Sequence, residues 1–130
     1  MGHSGKNYQL WEFENITEKN IIEEISKLSA NAKWLKTAPC LIVVYLDKVC
    51  SYNYIKDVQS CGAAIQNILL TAHEMSIGSC WIGDLLEKAD DINKFLEVDD
   101  SLDLMSVVSL EYGRGNPANV DRKDINEFLI

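Results

Sequence analysis

The stretch that most constrains this chain runs from residue 57 to residue 83. Its first part, 57–75, carries apolar residues at Val58, Cys61, Ala64, Ile65, Ile68, Leu69, Ala72 and Met75, the three- and four-residue spacing of a helix face. Ala63 and Leu70 interrupt the polar side. A helix apolar nearly all round is expected in the middle of a fold, not on its surface. Asp57 stands where an N-cap would, its carboxylate able to accept from free backbone N–H groups. Gly78 then lets the chain turn, and Cys80-Trp81-Ile82, closed by Gly83, reads as a short strand. Taken by spacing alone, all of this is ordinary core.

The remaining segments supply what such a helix must pack against. Residues 40–46 form a continuous apolar run with β-branched residues at Ile42, Val43 and Val44, which predicts an interior strand covered on both faces. Residues 10–16 alternate around Trp11 and Phe13 and predict a strand with one buried face. Thr17 is a suitable N-cap for an amphipathic helix with Ile21, Ile22, Ile25 and Leu28 on one side, ending near 30–32. Ala38-Pro39 stops further helix. After a polar loop at 47–55 and the central helix, residues 85–98 predict a helical stretch with a narrow stripe of Ile92, Phe95 and Leu96. Residues 102–110 predict another buried strand, 112–120 a loop, and 124–130 a short helix or tail. The order β-α-β-α-β-α-β, without repeat or linker, predicts a single domain over residues 1–130, with helices packed on a sheet.

Charge and cysteine usage narrow the function classes. A net charge of −8 argues against a nucleic-acid surface. The acidic residues between Asp84 and Asp103 read as a solvated face. Only two arginines occur, Arg114 and Arg122, both late in the chain; they raise the question of a bound anion, although two surface charges are the plainer reading. The four cysteines form no C-x-x-C pair and show no zinc spacing with the two histidines. Cys40, Cys61 and Cys80 are expected to be buried thiols in a reducing compartment, and Cys50 to be exposed. With no apolar leader and no run long enough to span a bilayer, a soluble cytoplasmic protein is expected.

Four segments, in order, carry a family resemblance. Ser4-Gly5-Lys6-Asn7-Tyr8-Gln9-Leu10-Trp11-Glu12-Phe13 is similar to a Pro-Ser-x-x-Asn-x-Gln-Pro-Trp-x-Phe segment. Ala38-Pro39-Cys40-Leu41-Ile42-Val43-Val44 is similar to an Ala-Pro-x-x-Ile-x-Val strand. The helix from Ala63 to Ala72, running into Gly78-Ser79-Cys80-Trp81-Ile82-Gly83, resembles a central helix and its following strand. Ser109-Leu110-Glu111-Tyr112-Gly113, with Arg122-Lys123 beyond, resembles a last strand and a basic residue after it. Together these resemble the FMN-dependent nitroreductase family. His3 and Leu10 stand where that family has proline, and Asp84 where a small residue is common. The family's first helix and its Arg-x-Ser-x-Arg stretch have no counterpart, so a short or truncated member is expected.

The resemblance implies an α+β fold: a three-layer α/β/α sandwich with a central, mainly antiparallel sheet and the family's N-terminal helix absent. It implies an NAD(P)H:acceptor oxidoreductase whose chemistry is carried by the flavin rather than by a catalytic side chain. Asn7 and Ser4 are then the expected partners of the flavin's pyrimidine edge, with Gly5 letting the backbone approach closely. Trp81, Ile82 and Gly83 would lie near ring N5, and Arg122 with Lys123, helped by Lys6, would meet the phosphate. No metal site is expected. The resemblance also implies a homodimer, with the Ser-x-x-Asn segment of one subunit facing flavin held largely by the other. The alternative is a degenerate, non-catalytic flavin- or protein-binding member of the same fold. Read without the family, Ser4 and Asn7 are ordinary loop residues, Trp81 and Cys80 are core, and His73 is a partly buried structural histidine.

Overall fold

The computed structural model describes residues 2–113 and 120–130; the 112–120 loop and Arg114 therefore lie largely outside the described residues. Four strands, β1 (Trp11–Ile16), β2 (Cys40–Asp47), β3 (Ile77–Ile82) and β4 (Leu102–Tyr112), form one sheet in the order β1-β2-β4-β3. Every pairing is antiparallel. The helices are α1 (Lys19–Ser26), α2 (Ala32–Leu35), α3 (Tyr54–Glu74) and α4 (Ala89–Phe95), with 3-10 turns at Gly5–Asn7, Asp84–Lys88 and Ile125–Phe128. This is the expected α+β arrangement, and its three layers follow from the alternation along β2.

Strand side chains point alternately to the two faces of a sheet. Leu41, Val43 and Tyr45 enter one core with Ile22 and Ile25 of α1, Leu35 of α2, and Leu85 and Ile92 below β3. Val44 and Leu46 point the other way, against Ile65 and Cys61 of α3. Both faces of β2 are thus covered, as its unbroken apolar run requires. The register slips between Val44 and Tyr45, where Val44 opposes Ser106 and Tyr45 opposes Leu104. Met105 is the extra residue of this bulge, which puts both Leu104 and Val107 in the first core.

Several expectations are corrected. The central helix begins three residues earlier than expected, at Tyr54, and Asn53 rather than Asp57 is its N-cap, accepting from the Lys56 N–H at 3.2 Å. The helix is not apolar to its surroundings on every side. Ile55, Val58, Leu70 and Met75 are exposed in the single chain, because α3 covers one sheet face and no second layer lies over it among the described residues. Glu18, not Thr17, precedes α1, without a side-chain cap. The four-residue α2 was not anticipated. Cys61 is buried and Cys50 exposed as expected, but Cys40 is only half-buried and Cys80 is exposed, since β3 is an edge strand. Phe13, on the other edge, is also 39% exposed. His73 points to solvent.

Candidate functional site

The segment around Ser4 is a tight turn held in an uncommon conformation. Lys6, Asn7 and Gln9 all have positive φ, at 52°, 58° and 50°, a region that costs a non-glycine residue about 1–2 kcal/mol. Local bonds offset part of that cost. The Asn7 N–H donates to Ser4 O at 3.1 Å, and the Gln9 N–H donates to Ser4 Oγ at 3.0 Å. Ser4 therefore spends an acceptor lone pair on the turn and keeps its own O–H as a donor. The side chain of Asn7 lies on the exposed side.

This turn rides on the first half of α3. Ser60 Oγ donates to the His3 carbonyl at 2.5 Å. At Gly2 an added Cβ would come within 2.8 Å of the Ala64 backbone nitrogen. At Gly5 the room for a side chain is already filled: a Cβ there would meet the Tyr52 hydroxyl at 2.1 Å and ring carbons at 2.6 and 2.7 Å. The smallness of Gly5 thus serves Tyr52, where the sequence suggested room for a ligand's approach. The Lys6 ammonium stands 5.0 Å and the Lys56 ammonium 5.8 Å from the Tyr52 ring centroid, a cation–π arrangement. Tyr8 meets the same ring edge-on at 5.8 Å.

Residues 81–83 end the edge strand β3. Trp81 pairs with Val108 and Ile82 with Val107 on one side only, so among the described residues the outer backbone edge of the strand has no sheet neighbour. The backbone here is firmly placed. Ile82 and Leu85 are buried, and between them the Asp84 carboxylate accepts from Ser29 Oγ (3.1 and 2.9 Å) and from the Ala30 N–H (2.8 Å). Asp84, expected on a solvated face, instead ties the end of β3 to the turn after α1. Trp81 is 43% exposed and forms one wall of a groove of about 550 Å³ with Tyr54, Val58, Gly62, Ile65, Leu86 and Met105 among its lining. An added Cβ at Gly62 or Gly83 would meet nothing within 4 Å. Gly62, with no side chain of its own, lines the groove opposite Trp81 and lets a flat ring approach α3 closely.

Arg122 and Lys123 lie on the exposed C-terminal segment, just before the Ile125–Phe128 turn, which Asp124 and Glu127 close as a capping box. The chain thus brings Ser4, Gly5, Lys6 and Asn7 together on one flank of α3, and Trp81, Ile82 and Gly83 beside the groove on another. Among the described residues, no hydrogen bond or ion pair joins Arg122 or Lys123 to either group. Tyr52 and Gly62 were missed from sequence. Gly62 had a signal, a glycine inside an otherwise strong helical pattern; Tyr52, in a loop rich in Tyr, Ser and Asn, had none.

Comparison with known proteins gives concordant results. Residues 6–114 match the Nitroreductase family. A protein of Archaeoglobus fulgidus, provisionally named NADH dehydrogenase/NAD(P)H nitroreductase, is 33% identical over 95% of this chain and 70% of its own length. One of the same provisional name from Methanothermobacter thermautotrophicus is 30% identical over 95% of this chain and 65% of its own. The chain therefore spans about two thirds of the length of these curated relatives. Among solved structures, a Desulfovibrio desulfuricans protein provisionally described as a nitroreductase, in complex with FMN, superposes with a TM-score of 0.94. It is 27% identical, with 99% of this chain and 76% of that one covered.

Proposed function

The chain belongs to the nitroreductase family, and from that premise we propose that it is an FMN-dependent oxidoreductase. In this reading it passes hydride from NAD(P)H through FMN to a nitro compound, quinone or related acceptor. The observation that carries the reading is the groove walled by Trp81 of the edge strand β3, where Gly62 leaves room for a flat ring against α3. The residues present fit the cofactor. FMN, when bound, supplies the redox-active ring; the protein supplies its placement.

The side chains have distinct tasks. Asn7 offers an amide, and Ser4 a free O–H donor, to the pyrimidine edge, with Gly5 and Lys6 in the same turn. The backbone of Trp81, Ile82 and Gly83 presents polar groups fixed in place by Asp84. Trp81 walls the ring and excludes water. Arg122 and Lys123 hold the phosphate with charge-assisted bonds. Because one chain places the turn at residues 4–9 and residues 81–83 on opposite edges of its sheet, we assign the complete site to a homodimer, as the exposed apolar residues of α3 also favour. The four free thiols support a reducing, cytoplasmic setting.

The test is direct. Protein purified without added cofactor is incubated with FMN, passed through gel filtration and examined for a bound flavin spectrum, then bleached anaerobically with NADH or NADPH. Asn7→Ala and Arg122→Ala should each weaken FMN binding about ten- to a hundredfold; the melting temperature of the flavin-free protein should stay nearly unchanged in Arg122→Ala and fall slightly in Asn7→Ala, which puts alanine at a positive φ. Undiminished binding in both variants would refute the site. A parent protein that never retains flavin would leave the non-catalytic reading in its place.

A further inference from the structure

Asp57 is fully buried in the first turn of α3, and no part of the cofactor assignment uses it. One of its oxygens, Oδ2, accepts three hydrogen bonds: from Ser51 Oγ at 2.7 Å, the Tyr52 N–H at 3.2 Å and the Asn53 N–H at 3.1 Å. All three donors belong to the loop that enters the helix, so the carboxylate fixes that loop against its own helix. The positive end of the helix dipole favours a carboxylate at this place. The loop in turn presents Tyr52, whose ring lies across Gly5 and gathers Lys6 and Tyr8. The turn that carries the left-handed residues Lys6, Asn7 and Gln9 is thus bounded by α3, which meets it at Gly2 and His3, and by a ring over Gly5 that α3 itself holds in place. Backbone in such a conformation persists where its surroundings over-determine it.

We propose that Tyr52, anchored through Asp57, is a positioning residue that holds the turn at residues 4–9 in the shape the flavin requires. The inference rests on the assignment of that turn to the cofactor. Tyr52 itself touches no reacting atom; it acts through Gly5 and Lys6. A ring that merely filled space could be removed without changing the conformation of Asn7. A ring that holds the turn could not.

Two measurements on the full chain test this separately. In flavin-free protein, Tyr52→Ala should raise amide hydrogen exchange at Asn7 and Gln9 at least tenfold, while Tyr52→Phe, which keeps the ring over Gly5, should restore parental protection. In FMN titrations, Tyr52→Ala should weaken binding at least tenfold and Tyr52→Phe should return it to within threefold of the parent. Gly5→Ala adds a coupling test: it should weaken FMN binding strongly in the parent, where the new methyl meets the ring, and little in the Tyr52→Ala background. Unchanged exchange in Tyr52→Ala, or fully additive effects in the double variant, would overturn the proposal and leave the cofactor assignment standing. Accelerated exchange in a protein that binds no FMN would overturn the link to flavin together with that assignment.

Discussion

Cys61 shows how much one buried group can report. It is 1% exposed between α3 and the sheet, and its thiol is pushed up to about 11, first by burial and then by the charge of Asp57. The folded state therefore favours the neutral thiol more than the unfolded chain does, whose thiol titrates near 9.0. The stability this contributes is fully present below pH 9 and is lost as pH rises toward 11. Urea unfolding at pH 8 and pH 10.5 should show a smaller alkaline loss in Cys61→Ala than in the parent; equal losses would mean that Cys61 does not sense the change. Burial of this thiol was legible from its helical spacing. The role of Asp57 was not. Asn53 and Asp57 are both cap-forming residues near the start of one helix, and only the folded loop at 51–53 decides that the first caps the helix while the second binds the loop.

At the scale of elements, α3 carries most of the site's geometry. Its apolar period and the unbroken run of β2 made the layers readable, because each pattern permits only one placement relative to a sheet. The 3-10 turns and α2 are too short to impose a period and could not be read. Gly62 is the element's clearest exception. A glycine inside a helix costs roughly 0.5–1 kcal/mol relative to alanine, and among the described residues an added Cβ here would meet nothing within 4 Å. Gly62→Ala should therefore stabilise the flavin-free protein by about that amount in urea titrations, while retention of FMN on gel filtration falls. A gain in stability with undiminished retention would show that the open face of Gly62 serves something other than the ring.

For the whole molecule, the sheet order sets the limits of what one copy can do. The turn at 4–9 leads into β1, and residues 81–83 end β3; these are the two outer strands. Pairing of Trp11 with Leu46, of Leu46 with Asp103 and of Ile82 with Val107 puts both segments toward the end of the sheet where β4 begins. Three strand spacings still separate the edges, roughly 14 Å. The basic pair at 122–123 lies on an exposed segment whose Ile125, Phe128 and Leu129 are all more than 60% exposed. The motifs could be found in the sequence one by one, but their distance from each other could not, since linear order carries no information about which edge a strand occupies. If two copies each lend the edge the other lacks, damaged subunits can complement one another. Asn7→Ala and Arg122→Ala chains, each poor at retaining FMN alone, should recover about one intact site per mixed pair when refolded together, read as flavin bound per chain. No recovery on mixing would mean that each chain assembles its site from its own residues.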